Sequence, residues 1–447
     1  MKKLITLLLV LTGAVCSANA TDYYVLGASQ ITNGNAWTKV DATKMSTTDN
    51  IHYYYVANNC ELTAASSNDD VTNVYNFQIQ STDGTWGEFR GDWSIRVKDS
   101  GVYTIVILFD NSQGENANKV LTPILVKTLS LNSTFDGVWN ATSNTYSFSH
   151  SDGSLKWTLD IPSSSVTASE YWYSFFNDGN YYWNNWYYEI FPGTNETVVG
   201  LGNSTNGNYE SQNNRSDRSF KLNQPSFTYN HLTFTLEYDV INYCWNVKTD
   251  AYISKEITAA NQYATVGCSV PLDLSGLAAE GVTAYPLTAN ATTGKITKGA
   301  AITGVLAANT GALLETNANV TLSIPVSATA GAAISNNLVA CTTGSVAKVT
   351  ETDYTNYILA NQDGHVGFYR VNSAGNEMGD NTAYLHVADG AAGSARAFYL
   401  FGGESTSVES VKQEQKVNGE FFNLAGQRVA QPTKGLYIVN GKKVTIK

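Results

Sequence analysis

Histidine and cysteine are scarce in this chain, with five of each in 447 residues. None of the histidines lies within metal-ligand spacing of another histidine or of a cysteine beyond residue 20: His52, His150, His231, His365 and His386. The GxSxG, HExxH and phosphate-loop motifs are also absent from the sequence. We therefore expect no metal ion and no cofactor.

Positive charge is in short supply as well. The chain has 27 Lys and Arg against 38 Asp and Glu, a formal net charge of −11. Loss of Lys2 and Lys3 with an N-terminal signal would bring the net charge to −13. Because binding to a phosphate backbone depends on its neutralisation by cations, we expect no nucleic-acid partner.

Long apolar runs are missing except at the N-terminus. Residues 4–15 form an apolar stretch after two lysines, and Ala18 and Ala20 supply the small residues that signal peptidase requires. We expect a signal peptide over residues 1–20, cleaved after Ala20. Lipidation at Cys16 is the alternative, although the branched Val15 departs from a lipobox. No segment approaches the roughly 20 continuous apolar residues of a spanning helix, so no transmembrane span is predicted.

Four cysteines remain after residue 20, and sequence alone does not rank their three possible pairings: Cys60, Cys244, Cys268 and Cys341. A disulfide between Cys268 and Cys341 is one possibility, because both belong to the same predicted segment. The other is that all four are small buried apolar thiols.

The sequence that is present has the alternation of β-strands almost throughout. Trp157, Leu159 and Ile161 alternate with polar residues, as do residues 232–236, and clusters of Asn, Gly, Ser and Thr separate such runs. Residues 93–97 and 102–109 read as a hairpin joined by a turn at 99–101. The predicted class is all-β, with tandem Ig-like β-sandwich modules and a small C-terminal β tail.

Composition divides the chain into five parts. We predict the signal peptide at 1–20, a first sandwich module at 21–127 and a second at 128–249. Residues 250–410 form a third segment that is rich in Ala, Gly and Thr, and residues 411–447 form the tail. These ranges are called below the first, second and third segments and the tail.

The strongest functional signal lies in the second segment, where 11 of the 18 residues from Tyr171 to Tyr188 are aromatic. Tyr171, Tyr173 and Phe175 point to one face of a predicted strand and read best as core. Residues 177–180 are predicted to turn the chain into a return strand that starts at Tyr181. Because one face of a sheet normally meets the core and the other meets water, some of the rings are expected to be exposed.

Exposed rings beside amides suit a sugar, because a ring covers the C–H face while amides pair with the hydroxyl groups. The tryptophans are flanked by asparagines in the aromatic segment, and Trp86 and Arg90 form a smaller candidate in the first segment. The predicted glycan-binding residues are Trp183, Trp186, Tyr187, Asn184, Asn185, Trp172, Trp86 and Arg90.

Two other functions stay open. The aromatic patch could contact a protein partner in an adhesion or structural surface protein. Glu170 and Glu189 bracket the aromatic segment and could serve as the paired carboxylates of a glycoside hydrolase. The segments are small for a catalytic domain, and the chain reads best as non-catalytic.

The tail runs FFNLAGQRV from Phe421 and ends in KGLYIVNGKKVTIK. It resembles the short C-terminal sorting tail of proteins that Bacteroidota secrete through the type IX route. The resemblance implies a partner in the export machinery and a protein that is secreted to the outer-membrane surface or beyond it. The residues carried over as sorting positions are Gly426, Arg428, Gly435, Tyr437, Gly441 and Lys442.

The first segment opens with YYVLG at residues 23–27 and carries Trp37. The first and second segments both resemble the sandwich modules of the outer-membrane glycan-binding proteins of Bacteroidota starch-utilisation systems, although the second lacks the YYVLG opening. The resemblance implies a polysaccharide ligand. The third segment, with strings such as VTLSIPV and GFYRV, looks like a module that precedes such tails in surface proteins. That resemblance implies a spacer or stalk.

Overall fold

The structure is a computed structural model. It describes residues 21–82, 93–114, 119–135, 146–166, 170–179, 181, 188–194, 196–211, 218–292, 295–342, 345–346, 353–362, 364–371, 376–389, 397–400, 421–423, 427–429, 435–439 and 442–446. The predicted signal peptide lies outside the described residues. No helix in this described part is long and apolar enough to cross a membrane.

The predicted all-β class is confirmed. The described elements are strands together with short 3-10 helices at Ser29–Ile31, Asp41–Thr43, Ser163–Ser165 and Leu277–Glu280. The strands form several sheets, as expected for β-sandwich modules.

The first segment contains two sheets around one core. Its strands are β1 (Tyr23–Gly27), β2 (Ser46–Thr47), β3 (His52–Leu62), β4 (Tyr75–Ser81), β5 (Trp93–Ile95), β6 (Gly101–Asp110) and β7 (Ile124–Val126). The sheets have the orders β1-β4-β5 and β2-β3-β6-β7. Alternate residues such as Tyr53, Tyr55, Phe77 and Ile105 are buried between them.

The predicted hairpin of residues 93–97 and 102–109 is wrong. β5 pairs with β4, whereas β6 pairs with β3 and β7. The turn after Val97 therefore carries the chain from one sheet to the other. The alternation correctly predicted which residues face inward, since Ile95 and Val97 are buried. A period of two along one strand does not specify which other strand pairs with it.

The second segment is built on one long sheet that curls over itself. Its strands are β8 (Leu129–Ser133), β9 (Ser149–His150), β10 (Lys156–Pro162), β11 (Glu170–Asn177), β12 (Tyr188–Pro192), β13 (Glu196–Val198), β14 (Ser204–Ser211), β15 (Ser219–Asn223), β16 (His231–Asp239) and β17 (Cys244–Ile257). The strand order is β13-β15-β11-β12-β14-β17-β16-β10-β9, and β8 pairs with β11. The inner faces of β11 and β16 meet, with the rings of Tyr173 and Phe234 5.2 Å apart.

The third segment contains smaller sheets. Its strands are β18 (Tyr263–Gly267), β19 (Leu272–Asp273), β20 (Thr283–Tyr285), β21 (Leu287–Asn290), β22 (Lys295–Lys298), β23 (Val305–Leu306), β24 (Gly311–Glu315), β25 (Val320–Pro325), β26 (Leu338–Cys341), β27 (Ser345–Val346), β28 (Tyr354–Gln362), β29 (His365–Arg370), β30 (Asn376–Glu377), β31 (Thr382–Ala388) and β32 (Ala397–Tyr399). The largest of these sheets has the order β26-β31-β28-β29-β32.

The tail forms an antiparallel sheet of its own, with β33 (Phe421–Phe422), β34 (Arg428–Val429), β35 (Gly435–Val439) and β36 (Lys442–Ile446) in the order β34-β33-β35-β36. Arg428 lies in β34, Gly435 and Tyr437 in β35, and Lys442 in β36. Gly426 and Gly441 lie outside the described residues. The sorting role of these positions stays a prediction.

The second and third segments share a strand. β17 pairs with β16 over Cys244–Tyr252 and with β25 of the third segment over Tyr252–Ile257. The predicted boundary at 249/250 therefore falls inside a continuous strand. One apolar cluster runs from Trp245 and Val247 through Ile253 to Leu322 and Ile324.

The first and second segments meet where β11 ends. The Asn177 Nδ2 donates to the Leu125 carbonyl over 2.7 Å, and the Tyr181 hydroxyl donates to the Pro123 carbonyl over 2.7 Å. Tyr181 is buried in the core of the first segment and forms a bridge with Val97. Tyr181, four residues after the end of β11, is therefore inserted into the core of the first segment.

Gly179 is required at this junction because a Cβ there would overlap the Leu125 carbonyl. We expect Gly179→Ala to lower the free energy of unfolding by about 1–3 kcal/mol, since backbone atoms must move to make room. The matched control is Gly276→Ala, at a right-handed glycine with open space around it. Denaturant titrations of both variants give the comparison, and equal stabilities would contradict the packing.

A second contact at the same junction depends on pH. Burial would raise the pKa of Asp110, but hydrogen bonds from Ser112, Gln113 and Tyr243 outweigh it and lower the pKa to about 2. Tyr243 comes from the β16–β17 turn of the second segment, so this carboxylate ties the two segments together.

We expect Asp110→Asn to cost about 1–3 kcal/mol at pH 7, because hydrogen bonds to a charged acceptor are weakened. The folded pKa lies below the unfolded value of about 4. The stabilisation by Asp110 is therefore complete above about pH 4 and is lost as the pH falls toward 2. Urea unfolding at pH 7, 4 and 2, with exposed Asp152→Asn as control, should show the deficit shrinking; a constant deficit would contradict it.

Candidate functional site

Most of the predicted glycan-binding residues cannot be placed. Trp86, Arg90, Trp183, Asn184, Asn185, Trp186 and Tyr187 lie outside the described residues. The predicted return strand from Tyr181 is wrong, because Asn177 at the end of β11 pairs with Tyr188 and Tyr181 forms a bridge with Val97. Tyr181 instead leaves the sheet to fill the core of the first segment.

Tyr171, Tyr173 and Phe175 belong to the core, as the alternation indicated. Each is 0% exposed. Their rings pack against the other half of the sandwich; the hydroxyl oxygen of Tyr173 lies 3.3 Å from that of Thr249. These rings stabilise the fold and are closed to a ligand.

Trp172 points to the opposite face of β11 and is half-buried. Its Nε1 donates to Glu196 over 3.0 Å, and the Lys221 Nζ lies 5.2 Å from the ring centroid. Lys221 is also 3.3 Å from Glu170 and 3.6 Å from Glu196. The indole N–H of Trp172 is therefore already used by Glu196, and one face of the ring is covered by Lys221, which also pairs with Glu170 and Glu196.

The two candidate carboxylates have different environments. Glu170 is partly exposed and pairs with Lys221. Glu189 is fully buried on β12, opposite Phe176 of β11 and Glu210 of β14. A hydrolytic role for this pair stays a prediction.

The four cysteines after residue 20 are thiols in the structure. The disulfide considered between Cys268 and Cys341 is therefore not formed, and the alternative of small buried thiols describes Cys60, Cys268 and Cys341. Burial raises the pKa of Cys60 to about 12 and also raises the pKa of Cys268 and Cys244. Among the described residues, no group of three His, Cys, Asp or Glu side chains is arranged to hold a metal.

A polar groove that the sequence reading missed lies on the outer face of β10, β16, β17 and β14. Cross-strand register brings the outward residues of these strands into rows. Thr158, Thr235, Lys248 and Ser204 form one row across all four strands. Lys156, Glu237 and Asn246 form the next row.

The groove has a volume of about 420 Å³. Below, "the groove" means the surface formed by Lys156, Thr158, Ser204, Thr233, Thr235, Glu237, Asn246, Lys248, Asp250 and Tyr252. The floor is rigid, because the residues between these positions, such as Trp157, Leu236 and Val247, are buried in the core. Hydroxyl, amide, carboxylate and ammonium groups thus stand on a fixed sheet.

Tyr252 closes one end of the groove. Its ring stacks on His231 at 4.7 Å with an interplanar angle of 6°, so one ring face is covered. Burial and the nearby Asp250 raise the pKa of the Tyr252 hydroxyl. The hydroxyl therefore stays protonated at neutral pH and can donate to a ligand.

Charges in the groove occur in opposite pairs. The Lys248 Nζ lies 2.9 Å from the Asp250 Oδ2, and Lys156 stands directly opposite Glu237 in the register. At the edge, the Thr233 hydroxyl donates to Asp160 over 2.6 Å. The groove therefore offers many donors and acceptors with little net charge.

Comparisons with known proteins add no family. No protein-family model matches the chain, and no curated protein matches it significantly. Function must therefore be argued from the groove and from the sequence.

The thiol assignment is open to a direct test. In the native protein we expect a maleimide to label the half-buried Cys244 before the three buried thiols, because burial makes those thiols inaccessible to the reagent. In denaturant without reductant, all four cysteines of residues 21–447 should be labelled. Intact mass gives the number of adducts and peptide mapping their positions; two missing adducts would mean that a disulfide had formed.

Proposed function

We propose that the chain is a secreted, non-catalytic surface protein that binds a polysaccharide, and that the groove of the second segment is its binding surface. The observation that supports this is the pattern of side chains on the groove. Ten positions on a fixed sheet present both donors and acceptors over an open surface.

Such a surface suits a carbohydrate because each sugar carries a rim of hydroxyl groups that both donate and accept. Threonine and serine hydroxyls do the same, while Asn246 adds an amide with donors and an acceptor. Preorganisation on strands reduces the side-chain ordering that binding costs. A chain of sugars can follow one of the rows across the four strands.

The remaining parts of the proposal come from the sequence. The N-terminal signal and the sorting-like tail would deliver the protein to the outer-membrane surface through the export machinery. The third segment, which shares β17 with the groove, would hold the binding surface away from the tail. The exposed rings predicted at Trp183 and Trp186 would add a stacking surface.

The groove can be tested with Thr158→Val and Thr235→Val, which keep the side-chain shape and remove neighbouring hydroxyls. We expect each to weaken binding about two- to tenfold, the effect of one hydrogen bond. The matched control is Thr321→Val, an exposed strand threonine on β25 outside the groove. Affinity electrophoresis against amylopectin, xyloglucan and galactomannan provides the measurement.

The outcomes separate the parts of the proposal. Absence of binding to a broad glycan panel at millimolar levels would reject polysaccharide binding. Normal binding by the threonine variants, with loss in Trp183→Ala and Trp186→Ala, would move the site from the groove to the aromatic segment. Release of reducing sugar that disappears in Glu170→Gln or Glu189→Gln would replace binding by hydrolysis.

A further inference from the structure

The charges in the groove indicate which class of polysaccharide it takes. The lining contains two cations, Lys156 and Lys248, and two anions, Glu237 and Asp250. Each cation has an anion beside it, and Lys248 is held by Asp250 at 2.9 Å. The formal charges of the lining therefore cancel.

An anionic polymer would meet a penalty in this arrangement. A uronate or sulfate placed near Lys248 would also lie near Asp250, and one placed near Lys156 would face Glu237. Asp160 adds a third carboxylate at the edge. Because Asp250 already pairs with Lys248 and Glu237 lies opposite Lys156 in the register, an incoming anion gains little net attraction and is repelled by the carboxylates.

The field of the whole molecule acts in the same direction, because the chain carries a net charge of −11. Such a field reduces the local concentration of polyanions near the surface. A neutral polyhydroxylated chain avoids both costs and can use every donor and acceptor in the groove.

Resting on the proposed polysaccharide binding, we infer that the groove selects neutral polysaccharides and rejects polymers with carboxylate or sulfate groups. The selecting groups are Glu237 and Asp250, which neutralise the two lysines. Amide substitutions at these two positions would leave the groove with two uncompensated cations while keeping the size of both side chains.

The test compares one neutral polymer with its carboxymethylated form, for example amylopectin with carboxymethyl starch. We expect the unmodified protein to bind the charged form about tenfold more weakly, as several weak repulsions add up. The double variant Glu237→Gln/Asp250→Asn should bind the charged form about threefold more tightly than the unmodified protein does. That gain should shrink as salt is raised, because salt screens the attraction between the carboxylates of the polymer and Lys156 and Lys248, which are not buried.

The matched control is Glu256→Gln/Glu280→Gln, which removes the same total charge at exposed positions outside the groove. A gain in this control equal to that of the groove variant would overturn the assignment to Glu237 and Asp250. Equal or tighter binding of carboxymethyl starch by the unmodified protein would overturn the selection for neutral polymers while leaving polysaccharide binding intact. Failure to bind either polymer class would instead reject the proposed function itself.

Discussion

The alternation of side chains along β17 is the constraint on which both the core and the groove depend. One set of positions, including Trp245, Val247 and Ala251, is buried, and the other set, Asn246, Lys248, Asp250 and Tyr252, lines the groove. A shift of one residue in the pairing with β16 would exchange these sets. Such a shift would bury Lys248 and Asn246 and would expose Trp245 and Val247, and both changes cost free energy. The apolar core therefore determines the register, and the register determines which side chains line the groove.

The same strand also explains why the second and third segments are not independent units. After Tyr252, β17 exchanges β14 for β25 as its neighbour without a break in the backbone. The Lys255 Nζ then donates to the Asn381 carbonyl, and Asn381 donates to Thr228 of the second segment. The third segment is therefore joined to the groove-bearing sheet by a continuous strand and by hydrogen bonds.

The sequence was sufficient for the fold class and for which residues face inward on single strands, because both depend on a period of two that is visible locally. It was not sufficient for strand neighbours. β5 and β6 are adjacent in sequence yet belong to different sheets, and the threonines of β10 and β16 become a surface only when the register aligns them. Alternating Thr, Asp and Lys positions were visible in the sequence, but their distance across strands was not.

The described rings of the aromatic segment show why aromatic density alone does not mark a binding site. Large rings remove much apolar area from water when they are buried, at about 25 cal/mol per Å², so a cluster of rings is stabilised more by a core than by an exposed surface. Tyr171, Tyr173 and Phe175 fill the core of their own segment, and Tyr181 fills that of its neighbour. Exposed polar groups carry a smaller free-energy cost, because water forms hydrogen bonds with them until a ligand replaces the water. In the described part of the second segment, apolar rings therefore fill the core and polar side chains occupy the outer face of β10, β16, β17 and β14, and the packing of the buried rings holds that face in register.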